Sequence, residues 1–243
     1  MNLKNIQQKL QKVLQRTVGF KNQFSNTHYL SIGENCLTDN ILDRHKIKSF
    51  STPYSHGRSN LDYAIQLEKE HYANLLNPEF LYYEYVEQTK VVRNKLYATS
   101  HNIFNELHKN GFEFTHHDVL NNEKERKSYE RKIARMNSFD KSQKLKFFYH
   151  YRSNDDLAID VLIGKAEEFL SYYKRREIKC EFIFFTQEIV SKSTERQLLK
   201  IHDSENIKGY ILKTLEYWAG DDEDFLWARK DDDLLTEMIK EIK

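Results

Sequence analysis

Cys36 has the setting in this chain that best suits covalent chemistry. It closes the run Ser31-Ile-Gly-Glu-Asn-Cys36 and is followed by Leu37, Ile41 and Leu42 near helical spacing. Tyr29 to Ile32 read as a short buried strand, and Gly33 as a tight turn. Cys36 then falls at the first turn of a helix, where unpaired N–H groups and the dipole favour a thiolate. Strand, turn, nucleophile and helix together display a reactive atom at a sheet edge. A thiol nucleophile also needs a base within hydrogen-bond reach. Of the ten histidines, His116 and His117 are best placed, in Phe112-Glu-Phe-Thr-His-His-Asp-Val119. Read as a strand, this segment turns His116 and Asp118 to one face and His117 to the other, so only one imidazole can face the site. Asp118, or Asn154 and Asp155 after the next strand, would orient it.

The elements that must position these groups follow from the hydrophobic pattern. The spacing predicts helices over 60–75, 102–109, 123–138, 156–175, 191–200 and 231–242. Strands are predicted over 81–86, 96–99, 112–119, 145–152, 178–185 and 207–212. Between the cysteine helix and the 60–75 helix lies a loop containing Pro53, Tyr54, Ser55, His56, Gly57 and Arg58. Coming so soon after the nucleophile turn, it is expected to line the site. From residue 145 onward strands and helices alternate, which implies βαβ units with parallel pairing. The expected fold is a single α/β domain spanning 1–243, a mixed sheet flanked by helices. It would comprise an N-terminal helix within 1–24, a site-bearing region over 28–155, and a βαβ completion of the sheet over 156–243.

Composition narrows the function classes. Lys and Arg number 38 and Asp and Glu 37, a net charge of +1, so no basic excess points to nucleic acid. Two cysteines, Cys36 and Cys180, make no disulfide framework and suit a reducing, cytoplasmic setting. Cys180 sits in an apolar strand and reads as a core thiol. No apolar run matches a membrane span, and no secretory signal is visible. Residues 2–18 predict an amphipathic helix bearing Lys4, Lys9, Lys12 and Arg16. Packing on its own domain is the favoured reading, with weak membrane-surface or partner contact as the alternative. No H-E-x-x-H, C-x-x-C, P-loop or G-x-G-x-x-G pattern occurs, so no metal and no permanently bound cofactor is expected.

Ser31-Ile-Gly-Glu-Asn-Cys36, Ser49-Phe-Ser-Thr-Pro-Tyr54, Phe-Thr-His-His-Asp-Val119, Arg131 and Arg135, and Phe147-Phe-Tyr-His-Tyr-Arg152 together resemble a bacterial family labelled "putative papain-like cysteine peptidases", whose function is unknown. The resemblance spans roughly 28–155. It implies a papain-like fold, Cys36 as nucleophile and His117, preceding Asp118, as base. Family members tend to carry an acidic residue and a tryptophan where this chain has Ser55 and His56. The Gly-x-Asn-Cys turn is also similar to that of coenzyme-A-dependent acyltransferases of capsule biosynthesis. Both resemblances imply a thioester on Cys36. Backbone N–H groups, helped by Asn35, would hold the oxyanion, with Glu34, Ser55 and His56 lining the site. The expected activity is an O-acyl- or acetyltransfer to a bacterial surface polysaccharide or its precursor, with acetyl-CoA as donor. A papain-like peptidase or amidase is the alternative, and a non-catalytic carbohydrate-binding protein of polysaccharide assembly a further one.

Overall fold

The computed structural model describes residues 26–86, 88–97, 111–152, 158–219 and 222–243. The helices expected over 2–18 and 102–109, and Asn154 and Asp155, lie outside the described residues. A five-stranded sheet runs β1-β5-β6-β8-β7 and a three-stranded one β2-β3-β4. In the larger sheet β1 (Thr27–Gly33), β5 (Lys144–His150), β6 (Lys179–Ile189) and β8 (Ile207–Thr214) are parallel, and β7 (Gln197–Asp203) closes the far edge antiparallel to β8. The smaller sheet holds β2 (Leu81–Val86), β3 (Thr89–Asn94) and β4 (Phe112–Phe114), all antiparallel. The architecture is α/β, with a mixed sheet flanked by helices.

Strand alternation divides the large sheet's side chains between two cores. Leu30, Ile32, Phe147, Tyr149, Phe182 and Phe184 face a core shared with α2 (Leu61–Lys69) and α4 (Ile159–Lys174). Phe148, Ile183, Phe185, Tyr210 and Leu212 face the other, covered by α1 (Leu37–Arg44) and α5 (Asp232–Ile242). Burying each such phenylalanine contributes about 1.5–3 kcal/mol. The central strands β5 and β6 are fixed by apolar burial on both faces, which explains why they were legible as near-continuous aromatic runs.

Three segments depart from the pattern reading. Residues 191–200 do not form a helix. The hydroxyls of Ser191, Ser193 and Thr194 interlock at 2.8 and 2.9 Å in a turn, after which the chain enters β7. Serine and threonine hydroxyls offer the backbone an alternative to the helix ladder. Of the strand expected over 96–99, Leu96 and Tyr97 belong to a 3₁₀ turn (Lys95–Tyr97) and the rest lies outside the described residues, while β3 runs several residues earlier. Helix α2 stops at Lys69, and His71 and Tyr72 adopt positive φ of 50° and 62°.

Tyr72 turns back because its hydroxyl is held by Glu68. Tyr173 (2.5 Å) and Tyr54 (3.5 Å) also donate to the same carboxylate oxygen. Glu68 is 3 % exposed, and burial outweighs the three donors, raising its carboxyl from an ordinary 4.5 to about 7. A carboxyl raised in the folded state binds its proton more tightly there, so its contribution falls as pH rises from about 4.5 to about 7 and is flat above. Urea unfolding of Glu68→Gln and the parent across this range should show the variant gaining on the parent as pH rises. The gain should be of order 3 kcal/mol in total. A pH-independent difference would refute the assignment.

Candidate active site

Cys36 is the N-cap of α1 and half-buried. The turn before it requires glycine through close approach rather than positive φ, since a Cβ on Gly33 would lie 2.5 Å from the Asn35 carbonyl oxygen. Asn35 Oδ1 accepts the Leu37 N–H at 3.0 Å, so that N–H is not free to meet an oxyanion. Glu34 is buried and accepts a 2.6 Å hydrogen bond from Tyr149, tying the end of β1 to β5. Burial lifts its carboxyl to about 7.

A buried polar knot holds the turn, α1 and the following loop together. Asp39 of α1 is 4 % exposed and accepts from Ser31 Oγ (3.0 Å) and Lys48 Nζ (2.6 Å). Ser31 Oγ meets Ser55 Oγ at 3.1 Å, and Ser55 Oγ accepts the Thr52 N–H at 2.8 Å. Ser55 is therefore a structural anchor of the loop, fully buried rather than site-lining. The loop's far end pairs with β4: Arg58 N–H donates to the Glu113 carbonyl at 3.0 Å and Glu113 N–H returns to Arg58 at 3.1 Å.

Beyond β4 the expected strand to Val119 ends at Phe114. Thr115 and His116 form a turn, with His116 at φ 63°, and His117 N–H donates to the Phe114 carbonyl at 3.1 Å. Asp118 breaks the strand because its carboxylate collects the N–H groups of Leu120 (3.1 Å) and Asn121 (2.9 Å). Tyr83 also donates to both of its oxygens at 2.9 Å. Asp118 is thus committed to the turn, and His117 Nδ1 is buried with no hydrogen-bond partner among the described residues. The turn leaves His116 exposed and His117 half-buried. The His117 ring lies 5.8 Å from that of His56 and 5.3 Å from that of Tyr129, edge-on to both.

Tyr129 belongs to α3 (Glu123–Ser138), which packs on the loop through Arg135. That guanidinium sits 4.6 Å over the Phe50 ring and donates to the Ser51 carbonyl at 3.3 Å. Tyr129, Lys132 and Met136 form the buried face of α3. Lys132 Nζ lies 4.1 Å over the Tyr129 ring. Cys36 and His117 share these two neighbours: the charges of Cys36 and Lys132 act on each other, Cys36 acts on Tyr129, and Lys132 acts on His117. Among the described residues, no hydrogen bond joins Cys36 Sγ to an imidazole.

The electrostatics differ from the helix-terminus expectation. Burial, and then the Asp39 carboxylate, push the Cys36 thiol up from its ordinary value, against the opposing charges of Arg58 and Lys132. Burial pushes His117 down to about 4, with Lys132 and His56 adding, so its imidazole is neutral at pH 7. Burial lowers Lys132 to about 8. A cleft of about 490 Å³ adjoins the group. Arg58, Glu113, His116, His117 and Glu125 are among its walls, but Cys36, Asn35, Glu34, Ser55 and His56 are not.

Sequence reasoning missed Asp39, Tyr129 and Lys132. The available signal was spacing: Lys132 falls three residues after Tyr129 and four before Met136, on an apolar face where a lysine is out of place. The described residues contain no group of three or more His, Cys, Asp or Glu that could hold a metal ion. Nor do they include a helix long and apolar enough to cross a membrane.

Alkylation reads the thiol directly. Iodoacetamide should label Cys36 faster than Cys180, which is 4 % exposed and raised to about 11. The Cys36 rate should still be climbing above pH 8.5, the ordinary thiol value. A plateau by pH 7 would contradict the protonated resting state.

The model of a family described as "Putative papain-like cysteine peptidase (DUF1796)" matches residues 27–188, taking in Cys36, His56, His117, Tyr129 and Lys132. No curated protein and no solved structure matches the chain.

Proposed function

This chain belongs to that family of papain-like cysteine peptidases, and from that membership we propose a Cys36-dependent hydrolase acting on an amide or peptide bond. The observation that carries the reading is the convergence of a half-buried thiol and a neutral imidazole on the same two α3 side chains.

At rest the thiol keeps its proton. Attack on an acyl carbon forms the C–S bond as the S–H proton passes to neutral His117, the only state in which that imidazole can accept it. The carbonyl oxygen becomes an oxyanion. Collapse breaks the bond to the leaving amine, which takes the proton from His117, and a thioester remains on Cys36. Water then gives a proton to His117 and attacks the thioester, and that proton returns to Sγ as the acid leaves. His56 touches His117 edge-on and, like Lys132, opposes its protonation, so it does not fill the place of a third triad member. Asp118 is occupied elsewhere.

The glycan O-acyltransferase expected from the sequence shares the first half of this chemistry and differs in the second nucleophile. Hydrolysis is preferred because the matched family is described by peptidase chemistry. Acetyl-CoA remains the donor that a transferase would use.

Peptidyl aminocoumarin amides and p-nitrophenyl acetate, followed by product release and intact mass, test the proposal. Cys36→Ala should abolish turnover, and His117→Ala should slow thioester hydrolysis by about 10²-fold or more. Turnover that survives Cys36→Ala would remove the nucleophile. A Cys36-dependent acetyl adduct from acetyl-CoA, discharged by sugars and not by water, would replace the hydrolase with the transferase.

A further inference from the structure

The groups around Cys36 leave several donors without acceptors. Lys132 is 7 % exposed and Tyr129 is fully buried, yet among the described residues neither Lys132 Nζ nor Tyr129 OH has a hydrogen-bond partner. Arg58 Nη1 is in the same state. Buried polar atoms are nearly always paired, and each orphan costs of order 1–3 kcal/mol. Two such donors on one helix face, one held 4.1 Å above the ring of the other, need a reason.

The nearby carboxylates among the described residues do not supply it, because they hydrogen-bond elsewhere. Asp39 is taken by Lys48 and Ser31. Glu113 pairs with Arg93 at 2.7 Å and with Arg58 Nε at 3.5 Å, and accepts from Thr115 at 2.8 Å. Glu125 receives the Asp118 N–H. The described residues therefore keep a cation and a hydroxyl beside the nucleophile with no hydrogen-bond acceptor, and Asp39 acts on Lys132 only through its charge.

Resting on the reading of Cys36 as nucleophile, we propose that Lys132 Nζ and Tyr129 OH form a subsite for a carboxylate carried by the acyl portion of the substrate. A carboxylate accepts both donors at once, which a neutral amide oxygen does less strongly. Its charge replaces the solvent that Lys132 has lost. Occupancy also acts on the base: the Lys132 charge is, after burial, the largest cause that keeps His117 weak, and an anion on Nζ offsets it. A substrate of the right charge thus strengthens the imidazole that must take the thiol proton.

Two alkylating agents of nearly equal size test this on the full chain: iodoacetate carries a carboxylate and iodoacetamide a neutral amide. The readout is the ratio of their rates at Cys36, located by peptide mass mapping, relative to the same ratio for 2-mercaptoethanol. The native protein should favour iodoacetate by about tenfold over the small thiol, the order of one charge-assisted contact near a protein surface. Lys132→Met should return the ratio to that of 2-mercaptoethanol. Tyr129→Phe, which removes only the hydroxyl, should lower it by about threefold to tenfold. Circular dichroism checks that each variant folds, and Tyr129→Phe decides the matter alone if Lys132→Met does not. A native ratio equal to that of 2-mercaptoethanol, or one that survives these variants, overturns the subsite. A native protein with no anion preference but with Cys36-dependent hydrolysis intact sinks the subsite alone, whereas hydrolysis without Cys36 sinks the enzyme reading.

Discussion

One buried carboxylate organises the ground on which Cys36 stands. Asp39 gathers Ser31 from β1, Lys48 from the chain after α1 and, through Ser31, Ser55 from the following loop. A charge so deeply placed is tolerable only with its partners present, and removing one partner from such a pair typically costs about 3–5 kcal/mol. The geometry of the turn that carries Cys36 is therefore inseparable from that charge. Yet the same charge opposes thiolate formation. The fold meets this conflict with cations on other elements, Arg58 on the loop and Lys132 on α3.

The loop and β4 make a second tie of the same kind. Arg58 and Glu113 exchange backbone hydrogen bonds, so the segment that leaves the cysteine helix is clamped to the strand that delivers His117. Glu113 is itself buried between Arg93 and Arg58. Gly57 is required at this crossing because a Cβ would come within 2.7 Å of the Phe112 ring. The small sheet thereby serves as a rigid arm for the imidazole, and α3, braced through Arg135 on Ser51, completes the enclosure.

Much of this was legible in the sequence, and for physical reasons. β1, β5 and β6 are buried strands whose apolar runs admit few other readings, and the strand–glycine–cysteine–helix order was plain. α3 was read with its observed limits, since Asn122 caps it and its charged face has helical period. What was hidden depended on hydrogen bonds of short polar side chains. The serine and threonine cluster that replaced a helix with a turn, and Asp118, which ended β4 early, both act through backbone contacts that hydrophobic period does not register. Lys132 was hidden differently. It lies among many charged residues on α3, and only its place on the buried face separates it from its solvated neighbours.

The pairing of β1 has a further consequence for how the protein is made. Among the described residues, β1 pairs along its length with β5, more than a hundred residues later in the chain, and on its other edge makes a single bridge, Tyr29 to Lys48. A ribosome adding about 5–20 residues per second needs several seconds or more to cover that distance. Until β5 emerges, the strand before Cys36 lacks its ladder partner, and only the contacts of residues 29–55 with one another are within reach. Contacts between such distant segments also form slowly, because loop closure must precede their stabilisation. Before that closure Cys36 is an exposed thiol, without the burial that holds its proton in the folded protein. Tertiary closure therefore shields the thiol from its surroundings as well as completing the pocket of neighbours around it.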